Sequence, residues 1–103
     1  MLELTQKQYL QTMESPMRQF QLTSGERKET IFEIAGDILT EKNIPYTRLE
    51  LSFCYENNTA TYSHYLVNWG AEDQYIAIIS DDVNEKWYGF RLLDMKTEYS
   101  IRQ

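Results

Sequence analysis

The chain of 103 residues has few of the residues that cross-link or interrupt a fold, with one cysteine, two prolines and four glycines. Because Cys54 stands alone, no internal disulfide can form, which fits a reducing compartment. No linker or repeat is visible. The first residues lack the pattern of a signal peptide, and no apolar run approaches the roughly 18 residues that span a bilayer. We expect a single cytoplasmic domain.

Basic residues are also scarce, since 10 lysines and arginines face 16 acids and give a formal net charge of −6. Residues 49–103 hold nine of the acids and only four of the bases. Proteins that bind nucleic acids or anionic membranes do so through many lysines and arginines, so we predict neither partner. The charge favours a basic protein partner. The alternative is that the acids only keep a small protein soluble.

The chain has few groups for catalysis. Its single histidine, His64, and Cys54 fall on adjacent predicted strands, and a catalytic dyad would need both on one face of the sheet. The acids around Asp81 and Asp82 lack the spacing of a calcium loop and are better explained as a turn. The isolated glycines form no phosphate-binding loop. We therefore predict no catalytic, cofactor or metal site, which favours a protein that is not an enzyme.

Two capping boxes predict helices in the first half of the chain. Thr5 and Gln8 predict a helix from Gln6 to Glu14, and Thr23 and Glu26 predict a longer helix after it. The longer helix carries an apolar face made by Ile31, Ile34, Ala35, Ile38 and Leu39.

The end of the longer helix is marked as well. Asn43 suits the left-handed position after a helix, Ile44 can pack back on Leu39, and Pro45 cannot continue the helix. For residues 17–22, between the two helices, we prefer a short helix to an extended segment.

From Thr47 onward the apolar residues alternate with polar ones, as they do in strands. The first strand is predicted to bury one face, made by Leu49, Leu51, Phe53 and Tyr55. Further strands are predicted at 59–69, 75–79 and 86–93. The strand at 75–79, the third along the chain, is predicted to be central because it is apolar on both faces. A fifth, short edge strand is predicted from Met95, Thr97, Tyr99 and Ile101.

This order of elements predicts an α+β fold, in which one or two N-terminal helices pack on one face of a four- to five-stranded antiparallel meander sheet. Folds of the cystatin and NTF2-like kinds, with a helix on a curved sheet, resemble this order. The resemblance is one of architecture and implies no function.

Aromatic residues are the most conspicuous feature, with eight tyrosines and two tryptophans, most of them in the sheet half. One interior cannot hold them all, and tyrosine and tryptophan among acids are typical of protein-binding surfaces. The alternative is the general preference of aromatic residues for strands. The candidate partner-binding residues are Tyr62, Tyr65, Trp69, Asp81, Asp82, Trp87 and Tyr88.

These features favour a small acidic protein that binds another protein through an acidic, aromatic sheet surface. Immunity proteins against toxins and phage-made inhibitors of host enzymes have this composition. One alternative is a ligand-binding or enzymatic domain with a pocket between the long helix and the sheet, lined by Glu50, Tyr62, His64 and Trp87. Another is a homo-oligomeric structural subunit, in which the second sheet face pairs with its copy.

Overall fold

The computed structural model describes residues 2–5, 17–23, 25–57, 59–70 and 74–93. Six strands and one helix lie within these residues. They are β1 (Leu2–Thr5), β2 (Met17–Gln19), α1 (Gly25–Glu41), β3 (Glu50–Asn57), β4 (Tyr62–Asn68), β5 (Tyr75–Asp81) and β6 (Lys86–Leu93).

The six strands form one sheet in the order β1-β6-β5-β4-β3-β2. Each pair of neighbouring strands from β2 to β6 is antiparallel, and β1 lies parallel to β6 at the edge of the sheet. The predicted α+β fold, with a helix on an antiparallel meander, is confirmed. The third predicted strand, now β5, is central and buried along its whole length, as expected.

The end of α1 has the predicted geometry. Asn43 takes a left-handed conformation with φ of 58°. Its N–H donates to the carbonyl of Thr40 at 3.0 Å, and the N–H of Ile44 donates to the carbonyl of Leu39 at 2.9 Å. These two bonds are those of a Schellman motif, and Ile44 packs on the cluster that contains Leu39. The helix begins at Gly25, two residues after the predicted cap at Thr23.

Helix α1 packs directly on one face of the sheet, here called the helix side. Its buried residues Ile31, Ala35 and Ile38 form one cluster with residues of β3, β4 and β5. Gly89 of β6 allows the close approach, because a Cβ there would collide with Ile38 and lie 3.3 Å from Ile34. The centre of the interface between helix and sheet is therefore filled.

The opposite face, here called the far side, carries a second apolar cluster. Its buried members are Met17, Tyr55, Leu66, Tyr75, Ala77, Ile79 and Leu92, with Phe53 and Phe90 packed against them. The central strands β4 and β5 are therefore apolar on both faces, which explains why β4 has no polar face in the sequence.

The prediction of a single buried face for β3 is wrong. A β-bulge at Ser52 shifts the register, so that Leu51 pairs with Val67 and Phe53 pairs with Leu66. The extra residue reverses the alternation. Leu51 therefore packs on the helix side, together with Leu49, whereas Phe53 packs on the far side with Tyr55.

The preference for a short helix at residues 17–22 is also wrong. Met17, Arg18 and Gln19 form β2, an edge strand that pairs with the end of β3. Its Arg18 forms an ion pair with Glu56 at 2.9 Å. The helix predicted for Gln6 to Glu14 and the strand predicted for 95–101 lie outside the described residues.

Candidate functional site

The seven candidate residues fall on both sides of the sheet. Tyr65, Trp69 and Trp87 belong to the helix-side cluster, and Asp82 reaches the same side just after β5. Tyr88 pairs with Ile79 of the far-side cluster, and Tyr62 pairs with Asp81, which lies two residues after Ile79. The side chains of Tyr62, Asp81 and Tyr88 therefore point to the far side. The structure brings together Tyr65, Asp82 and Trp87, with Trp69 in the same helix-side cluster, and places the other three candidates on the far side.

Exposure also separates the seven. Tyr65 is 0 % exposed and Asp81 is 6 % exposed, so both residues are buried. Tyr62, Trp69, Asp82 and Trp87 are half-buried. Tyr88 is 45 % exposed and is the one candidate of the seven that is open to solvent.

The three candidates that meet do so around Arg27, a residue that the sequence did not single out. Its Nη1 donates to the hydroxyl of Tyr65 at 2.8 Å and to Oδ1 of Asp82 at 3.0 Å, with Ser80 Oγ at 3.4 Å. Ser63 and Ser80 each donate a hydroxyl hydrogen bond to Asp82 at 3.0 Å. We call these five residues (Arg27, Ser63, Tyr65, Ser80 and Asp82) the Arg27 cluster.

The Arg27 cluster joins the first turns of α1 to the sheet. The hydrogen bond to Tyr65, followed by that to Asp82, raises the pKa of Arg27 against the opposing effect of burial. The guanidinium also lies over the ring of Trp87, 5.5 Å from its centroid. A permanently charged Arg27 held by several partners fixes the position of α1, and we assign the cluster a structural role.

Asp81 also has a structural role, as expected for a turn. Its Oδ1 accepts the backbone N–H groups of Val83 and Asn84, and its Oδ2 accepts the side-chain amide of Asn84 at 2.8 Å. These hydrogen bonds, led by that from the Asn84 side chain, lower the pKa of Asp81. The carboxylate is therefore occupied by the turn between β5 and β6.

The two candidate groups for nucleophilic catalysis point to opposite faces. Cys54 packs on the helix side, and burial raises the pKa of its thiol. His64 lies on the far side, where burial lowers its pKa to about 4. They cannot form a dyad. Among the described residues, no group of three or more His, Cys, Asp or Glu side chains is placed to hold a metal ion.

The outer side of α1 holds a feature that sequence reasoning missed. Five exposed acidic residues follow one another along the helix at spacings of three and four residues, and we call them the acidic row. They are Glu26, Glu29, Glu33, Asp37 and Glu41. Within the described part of the chain, none of them forms an ion pair. The row follows the same helical spacing as the apolar face and is therefore visible in the sequence, but the predicted partner-binding acids all belong to the sheet half.

Comparison of the chain with protein-family models, with curated proteins and with solved structures returned no match. Of the helical residues described, none belongs to a helix that is long and apolar enough to cross a bilayer. The geometry of the molecule is therefore the basis for its proposed function.

Proposed function

We propose that the chain is a small cytoplasmic binding protein, of the inhibitor or immunity type, that acts by contact with a basic protein. The acidic row is the observation that carries this proposal. Its five carboxylates extend over roughly 22 Å of the helix surface, at the helical rise of about 1.5 Å per residue. A surface of this kind complements lysines and arginines on a partner and accelerates the encounter.

Apart from Glu26, whose place in the first turn suits the helix dipole, the row does not stabilise the helix that carries it. Acids four residues apart on a helix repel each other at a cost of about 0.2–0.5 kcal/mol per pair. Glu29, Glu33, Asp37 and Glu41 make three such pairs in succession. Glu41 also lies at the C-terminal end, where the helix dipole disfavours negative charge and where the last turn holds no basic residue. A use outside the fold would account for this arrangement.

The rigid seating of α1 supports the same proposal. Arg27 ties its first turns to Tyr65 and Asp82, and its inner side packs on Gly89 without a gap. The helix backbone that carries the outer carboxylates is therefore held in place on the sheet, and a partner would meet it with little loss of backbone freedom.

A paired capture experiment with a matched control tests the proposal. The row variant is Glu29→Gln/Glu33→Gln, and the control variant is Glu50→Gln/Glu85→Gln. Each variant loses two exposed carboxylates, so the two variants have the same net charge as each other. Wild type and both variants are immobilised and exposed to an extract of the source cells. Each retained protein is then purified and its binding to all three is titrated at increasing salt.

We expect a protein with a basic surface to bind wild type and control equally, and to bind the row variant about tenfold more weakly at low salt. The difference should shrink as salt shortens the Debye length. Equal binding to the row variant would refute the proposal and favour acids that serve only solubility. The absence of any protein retained by wild type would refute it as well.

A further inference from the structure

The outer edge of β3 is only partly covered by another strand. The strand extends over Glu50–Asn57, but β2 pairs only with Tyr55, Glu56 and Asn57. One further backbone bond joins the N–H of Phe20 to the carbonyl of Cys54 at 3.0 Å. From Glu50 to Phe53, no described strand pairs with this edge. Free backbone groups along a sheet edge are the site to which an extended peptide adds as a new strand.

An open groove of about 660 Å³ lies against this part of β3. Its lining includes residues 19–22, which lead from β2 toward α1, and Lys28 of α1. The floor includes Leu51 and Cys54, which the bulge at Ser52 has turned to the helix side. Binding grooves range from about 300 to 1,000 Å³, so this one has room for a few residues of peptide.

The charge of the groove selects the kind of peptide. Among the described residues that line the groove, Lys28 has the only charged side chain, and it is exposed. Its ammonium group lies 5.9 Å from the ring centroid of Phe32. The neighbouring Glu29 of the acidic row is about 100° away around the helix. A carboxylate on an incoming peptide would therefore meet Lys28 on a side of α1 that the row does not occupy.

We propose that this groove binds an extended peptide segment that carries a carboxylate. The peptide adds to the edge of β3 at Glu50–Phe53 through backbone hydrogen bonds and places its carboxylate beside Lys28. This site lies on a different surface from the acidic row, and it binds an acidic ligand where the row binds a basic one. The proposal is therefore independent of the proposed function.

Peptide titrations of the full chain by two-dimensional NMR test this site. The probes are soluble heptapeptides of alternating valine and threonine, identical except for a central glutamate or lysine. We expect the glutamate peptide to shift the amides of residues 50–54 and to bind at least tenfold more tightly than the lysine peptide. A glutamate peptide with N-methylated backbone nitrogens should lose binding, because it can no longer donate to the edge.

Charge reversal at the groove provides the decisive variant. Lys28→Glu should reverse the preference between the two peptides, whereas Lys86→Glu, an exposed cation on β6 outside the groove, should leave it unchanged. Equal affinity for both peptides, shifts confined to other residues, or no shift of residues 50–54 at millimolar peptide would overturn the proposal. An unaltered preference in Lys28→Glu would also overturn it.

Discussion

Two titratable groups of the sheet half, Asp82 and His64, are hydrogen-bonded or buried, whereas the acids on the outer side of α1 are exposed. In the sheet, the half-buried Asp82 accepts hydrogen bonds from Arg27, Ser63 and Ser80, and the buried His64 is held neutral by burial. On the outer side of α1, the acidic row has no ionic partner among the described residues. The first group of side chains is explained by the fold, and the second is not.

This difference distinguishes the acids that stabilise the fold from those available to a partner more clearly than the amino-acid composition does. The acids of the hairpin between β5 and β6 were candidates for partner binding, yet Asp81 and Asp82 are both engaged by the fold. The acids of α1 were not among the predicted partner-binding residues, yet they are exposed and form no ion pair with a described residue. Polar groups that already have partners within the fold are poor guides to a binding surface.

The largest expected effect concerns His64, which is 3 % exposed. Burial lowers its pKa from 6.5 to about 4, so the folded protein takes up this proton less readily than the unfolded chain does. Stability should therefore be intact above pH 6.5 and fall as the pH drops from 6.5 to 4, by about 3 kcal/mol from this residue alone. Urea unfolding at a series of pH values measures the loss.

The variant His64→Gln isolates that contribution from the carboxylates, which also titrate in acid. Its free energy of unfolding should depend less on pH than that of wild type, with the difference confined to the window between pH 6.5 and 4. Parallel pH profiles for the two proteins would show that His64 is not the buried group that matters.

A smaller effect is expected from Asp82→Asn, which removes the negative charge that accepts hydrogen bonds from Arg27 and two serines. The free energy of unfolding should fall by about 2 kcal/mol, since hydrogen bonds to charged groups contribute about 1.5–3 kcal/mol and the pair is partly exposed to solvent. Glu85→Gln makes the same change at an exposed position of the adjacent turn and should alter stability by less than about 0.5 kcal/mol. Equal effects of the two variants would contradict the role of the Arg27 cluster.

The smallest effect has the opposite sign. Glu29→Gln/Glu33→Gln should raise the free energy of unfolding by up to about 0.5 kcal/mol, because it relieves repulsion within the acidic row. In about 1 M salt the gain should disappear, since the Debye length falls to about 3 Å. A loss of stability in this variant would mean that the row serves the fold, and the contrast between the sheet and the outer side of α1 would fail.

The elements with many residues of one period were predictable from the sequence. The stripe of Ile31, Ala35 and Ile38 and the ending at Asn43 located α1, and alternation located β6. The short strands were missed because three or four residues carry too little pattern. The partner of β1 also lies almost ninety residues away, since Leu2 pairs with Phe90. The bulge at Ser52 was invisible because one inserted residue looks like ordinary alternation.

The candidate site was harder to predict than the fold. Tyr65, Asp82 and Trp87 were singled out for their chemistry, but nothing in the sequence indicated that Arg27 joins them across 38 to 60 positions. Tyr65 looked like a surface residue because tyrosine is common at interfaces, whereas its hydroxyl is satisfied inside the protein. The acidic row, by contrast, follows from spacing alone and could have been found.

The position of β1 at the edge of β6 has a consequence for synthesis of the chain. Residues 2–5 are translated well before their partner strand β6, which ends at Leu93. The nascent chain must therefore expose an unpaired β1 until β6 has been made, and the described sheet cannot close before then. A polypeptide released short of β6 would lack both the neighbour of β5 and the support of β1.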